Sequence, residues 1–154
     1  MRVPDLITVD RIACDSEAGS KKRALELVSA LIARGESGLG DAEVFDSLLA
    51  RERLGSTGLG HGVALPHGRV KTSEQTVGAF LRLKKGVDFD AVDREPVDLL
   101  FAMLVPEHST DEHLQLLAQL AEMFSDTDMR RRLREAADAE AVKRLIDSWR
   151  PGTA

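Results

Sequence analysis

The sequence predicts an α/β protein in which a β-sheet is covered by helices on both sides. Apolar residues recur at helical spacing before residue 50 and again after residue 110, whereas short apolar runs typical of strands lie between them. Because helical patterns both precede and follow the strands, the simplest arrangement is a sheet between two helical layers. A length of 154 residues fits one domain, so we expect residues 1–154 to form a single domain.

Two helices are predicted in the first third of the chain. Ser20 precedes a helical pattern that Gly35 would end, and Asp41 is placed to cap a second helix. We expect residues 35–40 to form the turn between them. The apolar residues that define the inner faces are Ala24, Leu25, Val28, Leu31 and Ile32 in the first helix, and Val44, Phe45, Leu48 and Leu49 in the second.

The first strands are harder to place than these helices. One is expected either near Ile7–Val9 or at Ile12. A glycine-rich stretch that begins at Leu54 then leads into a short buried strand, Val63–Leu65. We expect Pro66 to end that strand, because proline cannot donate a hydrogen bond to a sheet.

The second half of the chain predicts two longer strands and three helices. Val77–Leu83 is rich in strand-forming residues and is followed by an expected turn at Lys85–Gly86. Val97–Val105 is almost entirely apolar, which is typical of a central strand covered on both faces, and Pro106 would end it. The helices expected after it are one with Leu114, Leu117, Ala118, Ala121 and Phe124 on its inner face, then Asp128–Ala136 and Ala139–Trp149.

Composition and charge exclude several classes of function. A net charge of −5 disfavours sequence-independent binding of nucleic acid, and we expect the basic cluster Arg130–Arg134 to lie on a solvated helix face. No apolar run is long enough to span a bilayer, and no signal pattern begins the chain, so we expect no membrane insertion. The single cysteine, Cys14, cannot form an internal disulfide, which fits a cytoplasmic location.

Common catalytic and binding motifs are absent from the sequence. The four histidines, His61, His67, His108 and His113, lack the spacing of a common metal site, so we expect no metal. Leu54–Gly58 is one residue short of a serine nucleophile elbow, and no phosphate-binding glycine loop ends in lysine. We therefore expect no cofactor.

The candidate site is built around one histidine. Pro66 and Gly68 flank His67, which would present its imidazole at the end of a strand, and histidine is suited to accepting and passing on a charged group. Arg51 ends the second helix and can reach back over the glycine-rich loop. His113 lies near the start of a later helix, where the helix dipole favours an anion. Arg51 alone is explained by its own helix end, and His113 by a helix surface, but the combination predicts a phosphate site.

The run from Leu49 to Gly68, LARERLGSTGLGHGVALPHG, closely resembles the active-site signature of the mannitol/fructose-type enzyme IIA domain (EIIA type 2) of the bacterial phosphoenolpyruvate-dependent phosphotransferase system. The resemblance extends from about Leu6 to Trp149. It implies a three-layer α/β/α sandwich with a mixed parallel and antiparallel sheet. His61 departs from the family pattern, in which asparagine is common, and we assign it no role.

The same resemblance implies a role for each residue of the candidate site. His67 would accept a phosphoryl group through Nε2 from an HPr-like phosphocarrier protein, while Arg51 and His113 would stabilise that group. The start of the first helix, Ser20-Lys21-Lys22-Arg23, and the lack of a fused transmembrane or carrier domain resemble the free-standing nitrogen-regulatory members. Such a protein would be a phosphohistidine carrier and a regulator of target proteins that the sequence does not identify.

Two other functions stay open at this point. The chain would have the same chemistry if it were a separate, sugar-specific enzyme IIA for fructose or mannitol, which must pass its phosphoryl group to a cysteine of enzyme IIB. It would have the same fold if it were a binding-only regulatory module in which His67 is never phosphorylated.

Overall fold

The computed structural model describes residues 2–34, 39–71 and 75–151. These ranges contain six strands and five α-helices, and two short 3-10 helices, Val3–Leu6 and Val9–Arg11, precede the first strand. The strands are β1 (Ile12–Ser16), β2 (Gly58–Gly60), β3 (Val63–Ala64), β4 (His67–Val70), β5 (Val77–Val87) and β6 (Val97–Pro106). The helices are α1 (Lys21–Ala33), α2 (Asp41–Glu52), α3 (Thr110–Ser125), α4 (Thr127–Glu135) and α5 (Ala139–Ser148).

The strands form one mixed sheet with β6 at its centre. Its order is β1-β5-β6-β3-β2, and β4 also pairs with β6. The pairs β1/β5, β3/β6 and β4/β6 are parallel, whereas β5/β6 and β2/β3 are antiparallel. Within the described ranges no helix is long and apolar enough to cross a membrane.

The side chains of β6 alternate between two separate hydrophobic layers. Leu100, Ala102 and Leu104 pack with the inner faces of α1 and α2. Their neighbours Leu99, Phe101 and Met103 pack with α3, α4 and α5 on the opposite face. All six are fully buried, which explains why the strand is a continuous apolar run instead of an alternating one. The expected α/β/α sandwich with a mixed sheet is confirmed.

The first two helices agree closely with the sequence prediction. Ser20 caps α1, and its Oγ accepts a hydrogen bond from the backbone N–H of Arg23 at 3.1 Å. The predicted stop at Gly35 lies outside the described residues, as does most of the expected turn. Asp41 is wrong as the cap of α2, because it is already helical and Gly40 is the capping residue. Of the two positions suggested for the first strand, Ile12 is correct.

The turn predicted at Lys85–Gly86 is wrong, because β5 continues to Val87 and pairs there with Val97. The strand is irregular between Arg82 and Val87, where the pairing register shifts. A Cβ atom on Gly86 would lie 2.8 Å from the Cβ atom of Pro96. The glycine therefore allows a close strand approach and does not mark a turn.

The inner face predicted for α3 is also largely wrong. Leu114 is 60% exposed, and Ala118 faces solvent as well. Phe124 is buried as predicted, and Leu117 is partly buried. Apolar residues extend around most of this helix, so their pattern alone does not mark one face, and the prediction chose a face rotated from the buried one. The buried face consists of His113, Leu116, Leu120, Met123 and Phe124.

The basic cluster Arg130–Arg134 is only partly solvated, contrary to the prediction. Arg131 and Arg132 are exposed and form ion pairs with acidic neighbours on α4. Arg130 is buried and donates to the carbonyl of Phe124 at 2.7 Å near the end of α3. Arg134 donates to both carboxylate oxygens of Asp98. Two of the arginines thus hold helices and strands together.

Candidate active site

The strand that carries His67 is interrupted once and then resumes. β3 and β4 pair with β6 in the same register, since Ala64 lies opposite Leu100 and His67 lies opposite Met103. Between them, the carbonyl of Pro66 still accepts a hydrogen bond from the backbone N–H of Met103 at 2.9 Å. The prediction that the strand stops at Pro66 is therefore wrong, because the proline removes one donor without ending the pairing.

Hydrogen bonding around Leu65 determines which nitrogen of His67 is free. The backbone N–H of Leu65 donates to the carbonyl of Thr57 at 3.0 Å, on the side away from β6. Its carbonyl oxygen lies 2.7 Å from Nδ1 of His67. A carbonyl only accepts, so Nδ1 carries the proton and Nε2 keeps its lone pair. The His67 side chain is half-buried, with Nε2 as its nucleophilic atom.

Gly68 allows α2 to pack directly on β4. A Cβ atom at this position would collide with Oγ of Ser47 and lie 3.1 Å from the Ser47 carbonyl oxygen. The same Ser47 hydroxyl donates to the carbonyl of Arg69 at 3.0 Å. Gly68 therefore makes room for α2.

Arg51 lies in the last turn of α2 and reaches over the loop that follows, as predicted. Its Nη1 donates to the carbonyl of Gly55 at 2.9 Å, and its side chain is partly exposed. Its positive charge contributes to lowering the pKa of both His67 and His113, so the guanidinium acts on both imidazoles.

His113 faces His67 from the N-terminal part of α3. The two ring centroids are 5.2 Å apart, and the rings meet edge to face with an interplanar angle of 72°. His113 is only 5% exposed. Nε of Arg69 donates to Nδ1 of His113 at 3.4 Å, which leaves the proton of the neutral ring on Nε2. That Nε2 is buried and has no hydrogen-bond partner in the described parts of the chain.

Both imidazoles are held in their neutral form. Burial is the main cause that lowers the pKa of His67, and the charges of Arg51 and Arg69 act in the same direction against the Leu65 hydrogen bond. For His113, burial first and then His67, Arg69 and Arg51 lower the pKa to about 4. At neutral pH the site therefore presents one nucleophilic nitrogen, one uncharged N–H donor and two arginine cations.

Arg69 is the residue of this group that the sequence prediction missed. It stands two positions after His67 on β4, so both side chains lie on the same face of the strand. The alternation would have indicated Arg69 if the strand had been extended beyond Pro66. The structure brings Arg51, His67, Arg69 and His113 together.

His61 lies elsewhere, in the two-residue turn between β2 and β3, beside the start of β6. His61 and Gly62 both have positive φ angles, 58° and 78°. Such a hairpin turn favours asparagine followed by glycine, and histidine also tolerates this backbone conformation. The backbone of His61 donates to Asp93 and accepts from Arg134. The turn therefore accommodates either asparagine or histidine at position 61.

Comparison with known proteins identifies the family. The sequence matches the family model described as "Phosphoenolpyruvate-dependent sugar phosphotransferase system, EIIA 2" over residues 5–149. The chain belongs to this EIIA type-2 family. The family predicted from the signature that ends at His67 and Gly68 is therefore confirmed.

The relatives of this EIIA chain include nitrogen regulatory proteins and a fructose-specific component. The nitrogen regulatory protein of Pseudomonas aeruginosa is 45% identical over 146 residues, which cover 95% of each chain. The crystal structure of nitrogen regulatory protein IIA-Ntr from Neisseria meningitidis superposes with a TM-score of 0.89 at 46% identity, covering 94% of this chain and 98% of that one. The fructose-specific EIIA component of Haloferax volcanii is 33% identical over 150 residues, covering 95% of this chain and 97% of the other.

Proposed function

We propose that this EIIA protein is a phosphohistidine carrier and regulator of the nitrogen-type phosphotransferase system. An HPr-like protein donates a phosphoryl group to Nε2 of His67, and target proteins respond to the phosphorylation state. Residues 1–154 form one domain of this type, which works in the cytoplasm. The single observation that carries the proposal is the 2.7 Å hydrogen bond from Nδ1 of His67 to Leu65, because it leaves Nε2 free beside Arg51 and His113.

The transfer forms one bond and breaks one bond. The Nε2 lone pair of His67 attacks phosphorus, the N–P bond of the donor phosphohistidine breaks, and its electron pair returns to the donor imidazole. Positive charge develops on the His67 ring as the new bond forms. The Leu65 carbonyl stabilises that charge, because it accepts the hydrogen bond from Nδ1. No other covalent chemistry is required of the protein.

Arg51 and His113 stabilise the oxygens of the phosphoryl group during transfer. Arg51 supplies a fixed positive charge at the end of α2. Nε2–H of His113 is a buried donor without a hydrogen-bond partner among the described residues, and we infer that a phosphoryl oxygen on His67 accepts from it. Arg69 holds the His113 ring in the tautomer that makes this donation possible.

A neutral donor at His113 suits a carrier that must later give up its phosphoryl group. Transfer between two imidazoles is nearly balanced in free energy, so excess stabilisation of the product would trap it. A pKa of about 4 keeps His113 uncharged at neutral pH. The site thus stabilises the transferring group through position and one uncharged hydrogen bond, together with the arginines.

The higher sequence identity to a nitrogen regulatory protein supports a regulatory role over a sugar-specific one. The nitrogen regulatory protein of P. aeruginosa is 45% identical to this chain, against 33% for the fructose-specific component of H. volcanii. A sugar-specific protein must deliver its phosphoryl group to an enzyme IIB cysteine, so incubation of the phosphorylated protein with fructose or mannitol enzyme IIB separates the two roles. We expect no rapid transfer to IIB.

The test of phosphorylation is the intact mass of the protein after mixing with phosphoenolpyruvate, enzyme I and an HPr-type carrier. We expect the mass of one acid-labile phosphoryl group on the parent, none on His67→Ala, and one on the control variants His61→Ala and His108→Ala. Arg51→Ala should accept the group more slowly. A phosphorylated His67→Ala would refute the assignment. An unmodified parent with a competent carrier would indicate a binding-only module.

A further inference from the structure

We propose that Glu52 is a positioning residue that fixes the tautomer of His67 from a distance, through Thr57 and Leu65. Glu52 is the neighbour of Arg51 in sequence, but its side chain is buried, and its hydrogen bonds and ion pair are with Thr57 and Lys21. The proposal rests on the proposed function only in its consequence for phosphoryl transfer. Its structural content, which nitrogen of His67 carries the proton, stands without phosphorylation.

Glu52 is a buried carboxylate that forms hydrogen bonds with Thr57 and an ion pair with Lys21. It is 6% exposed. Oε1 accepts the backbone N–H of Thr57 at 2.8 Å, and Oε2 accepts the Thr57 hydroxyl at 2.6 Å. Lys21, at the start of α1, lies 3.0 Å from Oε1. A buried carboxylate is tolerated when it is paired and hydrogen-bonded in this way, and removing it leaves its partners unsatisfied.

Both partners of Glu52, Lys21 and Thr57, are held in place. Nζ of Lys21 lies 4.8 Å from the centroid of the Phe89 ring and 3.5 Å from the Asp90 carboxylate. These contacts hold in place the Lys21 ammonium group that pairs with Glu52. Thr57, on the other side, ends the loop after α2 and is itself buried. Glu52 therefore ties the end of that loop to the body of the protein.

Two hydrogen bonds connect Thr57 to His67 through Leu65. The Thr57 carbonyl accepts the N–H of Leu65 at 3.0 Å, and the Leu65 carbonyl accepts Nδ1–H of His67 at 2.7 Å. In extended backbone the N–H and C=O of one residue point to the same side, so the Thr57 contact sets the direction of the Leu65 carbonyl. If Thr57 moves, the acceptor for Nδ1–H moves with it.

The consequence is a choice between two neutral forms of His67. With the Leu65 carbonyl in place, the lone pair of an unprotonated Nδ1 would face a lone pair of the carbonyl oxygen, and the two would repel each other. The proton therefore stays on Nδ1. Without that acceptor, the Nε2–H form becomes accessible, and its Nε2 has no lone pair with which to attack phosphorus. Glu52 thereby controls the fraction of His67 that is competent to react.

The experiment measures the ¹⁵N chemical shifts of the His67 imidazole in the full, unphosphorylated chain, together with the rate of phosphoryl acceptance. We expect the parent to hold its proton on Nδ1. Glu52→Ala and Thr57→Val should populate the Nε2–H form and accept the phosphoryl group about tenfold more slowly, as for a lost orienting contact. Thr57→Ser, which keeps the hydroxyl, should restore both properties.

Asp98→Asn is the matched control, because it weakens the Arg134 ion pair near the start of β6 and should leave the His67 tautomer unchanged. Unchanged ¹⁵N shifts in folded Thr57→Val would overturn the proposal, and so would an equal change in Asp98→Asn. The Thr57 pair keeps the test decisive if Glu52→Ala does not fold. A tautomer change in variants of a parent that is never phosphorylated would support the positioning role and refute the proposed function.

Discussion

We propose that the two histidines of the site differ in role because their hydrogen bonds differ. The partner of His67 Nδ1 is a carbonyl acceptor, so its Nε2 is a nucleophile. The partner of His113 Nδ1 is an arginine donor, so its Nε2 is a donor. Neither ring needs to change its charge at neutral pH for these roles. The environment of each ring thus assigns its chemistry.

Burial of His113 predicts a loss of stability in weak acid. The unfolded imidazole binds a proton near its ordinary pKa of about 6.5, whereas the folded one does so only at about 4. The unfolded state therefore binds more protons in this window, and the free energy of unfolding falls as pH decreases from about 6.5 to 4. We expect a loss of about 3 kcal/mol from His113, and His67 adds to it in the same direction.

Urea unfolding of the parent and of His113→Gln at pH 7 and pH 4.5 measures this contribution. The variant cannot titrate at this position, so its stability should fall less between the two pH values than that of the parent. An equal fall in both proteins would show that His113 is not the group responsible.

The sequence was informative about the residues of the site that belong to a contiguous motif. His67 and Arg51 follow from the signature between Leu49 and Gly68, and His113 follows from the resemblance. Arg69 was missed because the prediction ended the strand at Pro66. The contacts of Glu52 depend on how the loop after α2 folds back, which no local pattern indicates.

At the scale of elements, one buried arginine connects the end of α4 to the sheet. Arg82 on β5 is 6% exposed. Its Nη1 donates to the carbonyls of Leu133 and Ala136 at 3.0 and 2.7 Å, and its Nη2 donates to Asp15 at 3.2 Å. The last carbonyls of a helix lack partners within the helix, and Arg82 supplies a donor for them.

Arg82→Leu should therefore destabilise the protein by about 2–4 kcal/mol, because two carbonyls lose a charged donor in a buried position. Arg131→Ala is the control. Arg131 is exposed and pairs with Asp128 and Glu135 on the same helix, so its loss should change stability much less than the loss of Arg82. Chemical denaturation of both variants measures the difference, and equal effects would contradict the role given to Arg82.

Elements with a single clear period were predictable, and those shaped by tertiary packing were not. α1 and β6 were predicted nearly to the residue, because one has a capping serine and the other is apolar throughout. β5 extends to Val87 because it finds a partner in Val97, which its own sequence does not reveal. The inner face of α3 was misplaced because apolar residues lie on several sides of the helix, and only packing selects the side that carries His113, Leu116 and Leu120.

At the scale of the whole molecule, the central strand β6 contributes side chains to both hydrophobic layers, as does its neighbour β5. Leu100 and Ala102 belong to the α1/α2 layer, whereas Leu99 and Phe101 belong to the α3–α5 layer. Disruption of β6 removes packing contacts from both layers. The two layers should therefore unfold together, as one domain.

Fluorescence of Trp149 and far-ultraviolet circular dichroism test this cooperativity in urea. Trp149 is the only tryptophan of the chain and packs against the α3–α5 layer, whereas circular dichroism reports helices of both layers. We expect the two transitions to coincide. In Phe101→Ala both should move together, by about 3–5 kcal/mol of stability. Separate midpoints would instead indicate two independently unfolding layers.

The central claim of this account is that the phosphoryl group bonds to Nε2 of His67 while Nδ1 keeps its hydrogen bond to Leu65. The most direct measurement is the ¹⁵N and ³¹P spectrum of the labelled protein after phosphorylation by enzyme I and an HPr-type carrier. Phosphorus coupling to Nε2 of His67 alone is the predicted result. Coupling to Nδ1, or to a nitrogen of His113, would contradict the account.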